Sequence, residues 1–408
     1  MRRKIPFIPI LIFALLFLLL NGYAINALGI LIPAIVLPWI WVFPVALLLT
    51  FSWSMLRLSV DGQTALFKIS AHALLTYFVS LLVFIAVNLV SEAYRLIKAI
   101  INYASNSELT YPERPITGIY LGILLSFIVI IVFIYGILKG KYAYRVIKHT
   151  LYFEDLPEAF DGFKLTQISD VHAGSLNNPK AVQKGIDLIN SQQADLFVFT
   201  GDLVNNKAEE VKPYLQHFAQ IKAPYGQFSV LGNHDYGDYV KWESETAKRN
   251  NLDQLKKYHA ELGFRLLLDE HVTIEKNGQQ IQLVGVENWG LGFGERGDLQ
   301  KAIKGLSTDD FKVLLSHDPS HWEAQVKNYP SKIHLTLAGH THGMQFGIEA
   351  FGLKWSPVQF RYKHWAGIKA ENGKYLNVNR GFGFIGFSGR VGIWPEITVI
   401  ELRKGKNN

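Results

Sequence analysis

Four stretches in the first third of the chain are each long and apolar enough to cross a bilayer as a helix, which takes about 20 residues. They run from Phe7 to Leu28, Gly29 to Phe51, Ile69 to Val90 and Ile116 to Leu138. This concentration makes the chain a membrane segment joined to a soluble domain. The expected organisation is an all-α transmembrane region of about four helices over residues 1–144 and a second domain over residues 145–408. The first two spans are joined by a short, uncharged link, and Pro33, Pro38 and Pro44 are expected to kink the second, as membrane helices tolerate. Arg2, Arg3 and Lys4 before the first span also fit a cleaved leader, but three further spans favour a multi-pass anchor.

Cationic residues set the expected orientation. Arg2, Arg3 and Lys4 precede the first span, and Lys139, Lys141, Arg145 and Lys148 follow the fourth. An even number of spans puts both clusters on one side, which the positive-inside rule makes the cytoplasm. Arg57 and Lys68, between spans two and three, belong to the same side. The stretch from Ser91 to Pro115, where Arg95, Lys98 and Arg114 are balanced by Glu92, Glu108 and Glu113, is an outside loop. A re-entrant first or second segment would invert this arrangement. His72, inside the third span, reads as a packed or hydrogen-bonded residue.

The net charge of +7 does not require a nucleic acid, because several cations flank the apolar spans. With no cysteine in the chain, any bound metal must be held by nitrogen and oxygen ligands, which suits Mn, Fe or Zn at a catalytic site.

From about Arg145 strand and helix patterns alternate. Strand-like runs cover Val146–Phe153, Phe163–Ser169, Asp195–Thr200 and Gln227–Leu231. Helical periodicity covers Pro179–Gln192, Glu209–Ile221 and Glu243–Leu262, with Asn177 or Asn178 available to cap the first. A hairpin turning at Lys276, Asn277 and Gly278 follows, and Lys374–Asn379 and Ile397–Leu402 close the chain as strands. Alternation of this kind, with a β-rich end, implies layered sheets covered by helices, an α/β class.

Five of the strand-like runs lead into metal-type side chains. Asp170 and His172 follow one, Asp202 another, and Asn233, His234 and Asp235 a third. His317 and Asp318 follow a fourth run, Phe311–Leu315, and His340 and His342, between Gly339 and Gly343, a fifth, Ile333–Ala338. In an extended segment residues i and i+2 point to one side, so Asp170 with His172, and His340 with His342, can face one site. Asp202 has two oxygens that can bridge two ions, Asn233 offers an amide oxygen, and His234 is left for proton transfer. Any one of these could be a cap or a surface residue. Together they suit two-metal hydrolysis of a phosphate ester.

The order Asp-x-His, Gly-Asp, Gly-Asn-His-Asp, a later His and Gly-His-x-His resembles the calcineurin-like metallophosphoesterase superfamily over about residues 151–402. That resemblance implies a calcineurin-like four-layer α/β/β/α sandwich holding two divalent metal ions. Asp170, His172 and His342 would hold one, Asn233, His317 and His340 the other, and Asp202 would bridge them. His234 would act as general acid, oriented by Asp235, and Asp318 belongs to a turn or behind the ligands. The Gly-His-Thr-His-Gly form and the Asn379–Gly383, Arg390 and Pro395–Glu396 region are similar to the membrane-associated bacterial branch of YkuE and YaeI type phosphodiesterases. They also resemble a UDP-2,3-diacylglucosamine pyrophosphatase of the lipid A pathway. Met344 stands where that branch has a second glycine.

Arg380 and Arg390 are candidate phosphate-binding residues or partners of Glu396. The run Trp355, Phe360, Arg361, Tyr362, Lys363, Trp365 and Lys369 reads either as an ordinary packed loop or as a lipid-facing patch. The expected protein is a multi-pass phosphoesterase of a bacterial inner membrane with a cytoplasmic catalytic domain. It cleaves a phosphodiester or pyrophosphate, with a lipid-linked or membrane-proximal substrate leading. Soluble nucleotides, or a non-catalytic membrane sensor using the same fold, are the alternatives. Nothing in the sequence sets the oligomeric state.

Overall fold

The computed structural model describes residues 7–61, 64–106, 110–350 and 352–406. The Arg2, Arg3 and Lys4 cluster and Glu108 lie outside the described residues. The chain divides into two compact units, Met1–Tyr135 and Gly136–Asn408.

Among the described residues, four helices are long and apolar enough to cross a membrane, over Ile8–Leu28, Leu37–Arg57, Ala65–Ser105 and Ile116–Leu138. Two boundaries differ from expectation. Residues 29–36 form a turn after the Phe7–Leu28 helix, and the second span is built from helices Leu37–Ile40 and Val42–Asp61. Proline has no amide hydrogen, so Pro33 sits in the turn while Pro38 and Pro44 occupy first turns, where no intrahelical bond is lost. The third helix, Ala65–Asn106, continues for 42 residues through the start of the expected loop. Its extension is held by charge rather than apolar burial: Glu92 accepts from Arg95 and Arg114, and Arg95 also donates to the Pro112 carbonyl. His72 bonds the Lys68 carbonyl one turn back.

In the second unit, one sheet has six strands in the order Arg145–Phe153, Glu396–Lys404, Lys164–Ile168, Leu196–Thr200, Gln227–Val230 and Arg265–Leu266. The other runs Gly367–Glu371, Lys374–Val378, Leu335–Ala338, Lys312–Leu315, Gln279–Gly285 and Glu270–Lys276. Side chains alternate across each strand, and the alternation builds the layers. Leu196, Val198, Val313, Leu315, Leu335 and Leu337 pack in the core between the sheets. Phe197 and Phe199 point the other way, under Val182 and Ile186 of helix Pro179–Asn190 and Leu255 of helix Glu245–Glu261. Leu314, Leu376 and Val378 face outward on the second sheet, beneath Leu299 and Trp322. The result is the four-layer α/β/β/α sandwich expected of a calcineurin-like domain. Asn178 caps its helix by accepting from the Ala181 amide. The expected Glu209–Ile221 helix is instead a 3₁₀ segment, Ala208–Tyr214, and a short helix, Leu215–Phe218, because Pro213 cannot supply a helical donor.

The arrangement that positions the site is parallel pairing. Lys164–Ile168, Leu196–Thr200 and Gln227–Val230 run parallel in one sheet, and Lys312–Leu315 and Leu335–Ala338 run parallel in the other. Parallel neighbours end on one edge, so their following loops converge. Below that edge Gln167 ties the sheets together. Its amide donates to the Ala338 carbonyl (2.9 Å) and Thr200 Oγ1 (2.9 Å), and its oxygen accepts from Asn377 (2.8 Å).

Candidate metal centre

The donor side chains sit on sharply bent backbone. Asp170, His172, Asp202, His340 and His342 all have left-handed φ angles, of 53°, 46°, 61°, 70° and 51°. Non-glycine residues adopt this region at a cost and keep it where surrounding contacts enforce it. The side-by-side placement expected from an extended i, i+2 spacing is therefore reached by another route, with two consecutive bends in each pair. Glycine makes the approach possible: a Cβ on Gly339 would strike Ser169 Oγ and Asp170 Oδ2, and one on Gly232 would strike Asp202 Oδ1.

Two groups of donors result. Asp170, His172 and His342 form one and Asp202, His317 and His340 the other, each with ligand atoms within 4.8 Å of one another. In the first, His172 Nε2 lies 3.0 Å from His342 Nε2, which is 3.3 Å from Asp170 Oδ1. In the second, His317 Nε2 is 3.2 Å from Asp202 Oδ2 and 3.3 Å from His340 Nδ1, which is also 2.9 Å from Asn233 Oδ1. The groups meet at Asp202 Oδ2, which is 3.5 Å from His172 Nε2 as well. All seven expected ligands thus converge at one centre.

The donor set fits divalent cations. Several imidazole nitrogens and carboxylate oxygens lie within 3.5 Å of one another, an arrangement that is repulsive unless protons or cations sit among them. Burial pushes His172 down to about 3 and His340 to about 4, and drives His342 well below the ordinary histidine range, so these imidazoles are neutral donors at pH 7. Burial also opposes charge on Asp202 and His317, but their mutual attraction prevails: Asp202 is held well below the usual carboxylate range and His317 is raised to about 10. Burial raises Asp170 to about 6. Mixed nitrogen and oxygen donors of this kind suit Mn, Fe or Zn.

Further contacts fix the donors. His340 turns its other nitrogen to Asp318 Oδ2 (3.3 Å), which also accepts from the Tyr362 hydroxyl (3.1 Å). His317 Nδ1 bonds the Thr200 carbonyl at 2.7 Å. Asn233 donates its amide to the Tyr239 hydroxyl (2.7 Å), which turns the amide oxygen toward His340. Metal-binding side chains are commonly oriented this way. Neither Tyr239 nor Tyr362 adjoins a motif, so these contacts are not legible in the sequence, whereas Asp318, beside His317, is expected at a turn or behind the ligands.

His234 lies over the same centre. Its backbone amide donates to Asp202 Oδ1 (2.8 Å), its ring packs edge-on to His172 at 4.9 Å, and its Nδ1 bonds the Asn205 carbonyl at 2.8 Å. That bond leaves Nε2 as the free nitrogen. Asp235, expected to orient His234, serves another purpose: its carboxylate accepts from the amides of Gly232, Asp202, Leu203 and Val204. Arg380 and Arg390, expected either at a phosphate or on Glu396, are used internally. Arg380 is buried and pairs with Glu396 and Glu349. Arg390 is buried, its Nη2 donating to the Arg380 and Gly383 carbonyls beside His342. Two carboxylates hold Arg380, and carbonyls hold Nε and Nη2 of Arg390, whose Nη1 is buried without a hydrogen-bond partner.

Comparison with known proteins agrees with this geometry. Residues 163–344 match the family described as calcineurin-like phosphoesterase, and residues 2–141 match that described as probable calcineurin-like phosphoesterase, transmembrane domain. The chain is 30% identical over 262 residues to the uncharacterized metallophosphoesterase YkuE of Bacillus subtilis (strain 168), covering 63% of this chain and 84% of that protein. It is 30% identical over 283 residues to an uncharacterized metallophosphoesterase of Aquifex aeolicus (strain VF5), covering 67% and 99%. It is 26% identical over 290 residues to a transmembrane protein with metallophosphoesterase domain of Danio rerio, covering 69% and 62%. The chain belongs to the calcineurin-like phosphoesterases and is a membrane-associated member with an N-terminal four-helix transmembrane domain.

Proposed function

We propose that this protein hydrolyses a phosphodiester or pyrophosphate bond at the centre shared by the two donor groups, with two divalent cations and a cytoplasm-facing catalytic domain in a bacterial inner membrane. The observation that carries the reading is Asp202, whose Oδ2 lies within 3.2 Å of His317 and 3.5 Å of His172 and so belongs to both groups. Asp170, His172 and His342 would hold one cation, and Asn233, His317 and His340 the other. When bound, the pair supplies charge neutralisation on the phosphoryl oxygens and acidifies a water.

The protein's own residues do the rest. Asp202 keeps the two groups at a fixed separation, with His234 N–H holding its other oxygen. Nδ1 of His234 is anchored on the Asn205 carbonyl, so Nε2 is presented to the substrate. As water adds to phosphorus, losing a proton to solvent, and the bond to the leaving oxygen breaks, His234 in its imidazolium form, with Nδ1–H kept on the Asn205 carbonyl, gives its Nε2 proton to that oxygen. A lipid-linked or membrane-proximal substrate is favoured by the transmembrane domain.

The test is hydrolysis of bis(p-nitrophenyl) phosphate, p-nitrophenyl phosphate and a UDP-linked acyl sugar by the detergent-solubilised full chain with added Mn. Activity on the diester or the sugar nucleotide, abolished by Asp202→Ala, is expected. His234→Asn should keep the metal and lower turnover by about 100- to 10,000-fold, the range for a general acid. Two bound metals with no hydrolysis of any of the three would overturn the bond type proposed.

A further inference from the structure

Beyond Leu138, the large hydrophobic side chains that remain exposed among the described residues are Tyr239, Leu291, Met344, Ile348, Leu353 and Phe360, each between 49% and 83% exposed. They come from separate loops, yet each is tied by short contacts or sequence proximity to the metal centre. The Tyr239 ring lies 4.4 Å from that of His234. Leu291 donates its amide to Ser320 Oγ, and the Ser320 amide donates to Asp318, the partner of His340. Met344 is two residues beyond His342. Phe360 precedes Arg361, whose guanidinium stacks on Phe293 (4.7 Å), and Phe293 packs on His340 (4.6 Å).

Ile348 and Leu353 belong to a hairpin, Ile348–Ala350 and Leu353–Trp355, that leaves the same segment. Its register pairs Ile348 with Trp355 and Ala350 with Leu353, so these four apolar residues share one face. The aromatic stretch read from the sequence divides differently from expectation. Tyr362 and Trp365 are core residues with Val358 and Ile393, and it is Phe360 that is left outside.

Exposed apolar groups carried by the loops around one site mark an interaction surface. Its charge selects the partner. Residues 344–369 contain Lys354, Arg361, Lys363 and Lys369 against Glu349, which shares Arg380 with Glu396, and beside Glu323, which pairs with Lys327 and His364. Apolar side chains among unbalanced cations match an anionic lipid surface, where acyl chains receive the first and headgroups the second. The chain carries four apolar helices of membrane-spanning length, so such a surface is always within its reach.

We propose that the rim around the metal centre docks on the anionic bilayer, so that substrate enters from the lipid interface. This deepens the function proposed above and rests on it for the word substrate; the docking itself does not.

The absence of cysteine allows single labels on the full chain. Spin labels would be placed at Leu353→Cys and Phe360→Cys in vesicles containing phosphatidylglycerol. A control at Asn277→Cys lies in the turn entering strand Gln279–Gly285, at the opposite end from the ligand loops. Collision with oxygen should be favoured over collision with a water-soluble nickel chelate at 353 and 360, and not at 277. Water-like collision at all three positions would overturn docking. Spin–spin broadening at 353 and 360 that persists in detergent would identify a second copy as the occupant, and also overturn it.

Leu353→Asp with Phe360→Asp should leave hydrolysis of bis(p-nitrophenyl) phosphate unchanged. Hydrolysis of a vesicle-embedded phosphodiester lipid should fall by roughly tenfold or more, given the apolar area withdrawn from lipid. Equal rates on the embedded lipid would overturn entry from the interface. An inactive parent protein would remove the proposed reaction while the label readout still judged the docking.

Discussion

The charge states of the buried donors set how tightly a cation is held. With His317 raised to about 10 by Asp202, a cation entering that group at pH 7 must expel a proton. Affinity should therefore rise about tenfold per pH unit between pH 7 and 9, one proton being released per ion. Below about 6, where Asp170 takes up a proton as well, the slope should steepen. Isothermal titration calorimetry in buffers of different protonation enthalpy measures the release directly; an affinity flat from pH 7 to 9 would contradict it. Tyr239 allows a second prediction at this scale. Its hydroxyl accepts from Asn233 Nδ2, so Tyr239→Phe removes the contact that aims the amide oxygen at His340. Metal affinity should fall by about 10- to 100-fold, the usual effect of losing a partner behind a ligand, with little change in thermal stability. Unaltered Mn affinity in a competition assay would remove Tyr239 from that role.

The elements hold these residues through a few buried polar contacts. Asp235 joins the loop after Gln227–Val230 to the loop after Leu196–Thr200 by accepting four backbone amides. Asp235→Ala leaves those four donors without their acceptor and should destabilise the second unit by roughly 4 kcal/mol or more, since each buried donor left unpaired costs about 1–3 kcal/mol. Asp235→Asn should be milder. Thermal unfolding in detergent followed by tryptophan fluorescence would show it; a melting temperature unmoved by Ala would return Asp235 to a role at the reaction itself. This residue shows where sequence reasoning stops. Candidate ligand positions were legible because each follows an apolar run, and strand ends in layered α/β folds are where loops converge. The partner of a polar side chain was not legible, because it is set by three-dimensional neighbours: Asn205 holds His234, Glu349 joins Glu396 on Arg380, and Gln167 links the two sheets from within a strand that reads as merely apolar. The helix limits failed for a related reason. An apolar window marks what lies in lipid, but the Ala65–Asn106 helix runs on through Ser91 because Glu92 and Arg95, three apart, pair on its surface.

For the whole molecule the open quantity is topology, and the long third helix sharpens it. At 1.5 Å per residue its 42 residues reach about 63 Å, roughly twice a hydrocarbon core of about 30 Å. About half must therefore stand in water. The charged half is the C-terminal one, with Glu92, Arg95 and Lys98, while the start is flanked by Arg57 and Lys68. The count of Lys and Arg, with little weight from Asp and Glu, sets the orientation, and the side richer in them is the cytoplasm. The fourth span then returns to Lys139, Lys141, Arg145 and Lys148, of which Lys141 is partly withdrawn from the count because it is buried against Tyr142 and Phe384. Three cations remain. Alkaline phosphatase fused after Asn102 should be exported and active, and the same reporter fused after Asn408 inactive, with a cytoplasmic fluorescent reporter giving the reverse pattern. Activity after Asn408 and none after Asn102 would invert the protein. It would also point to the turn over residues 29–36, where one of the first two helices could return to the side it entered from.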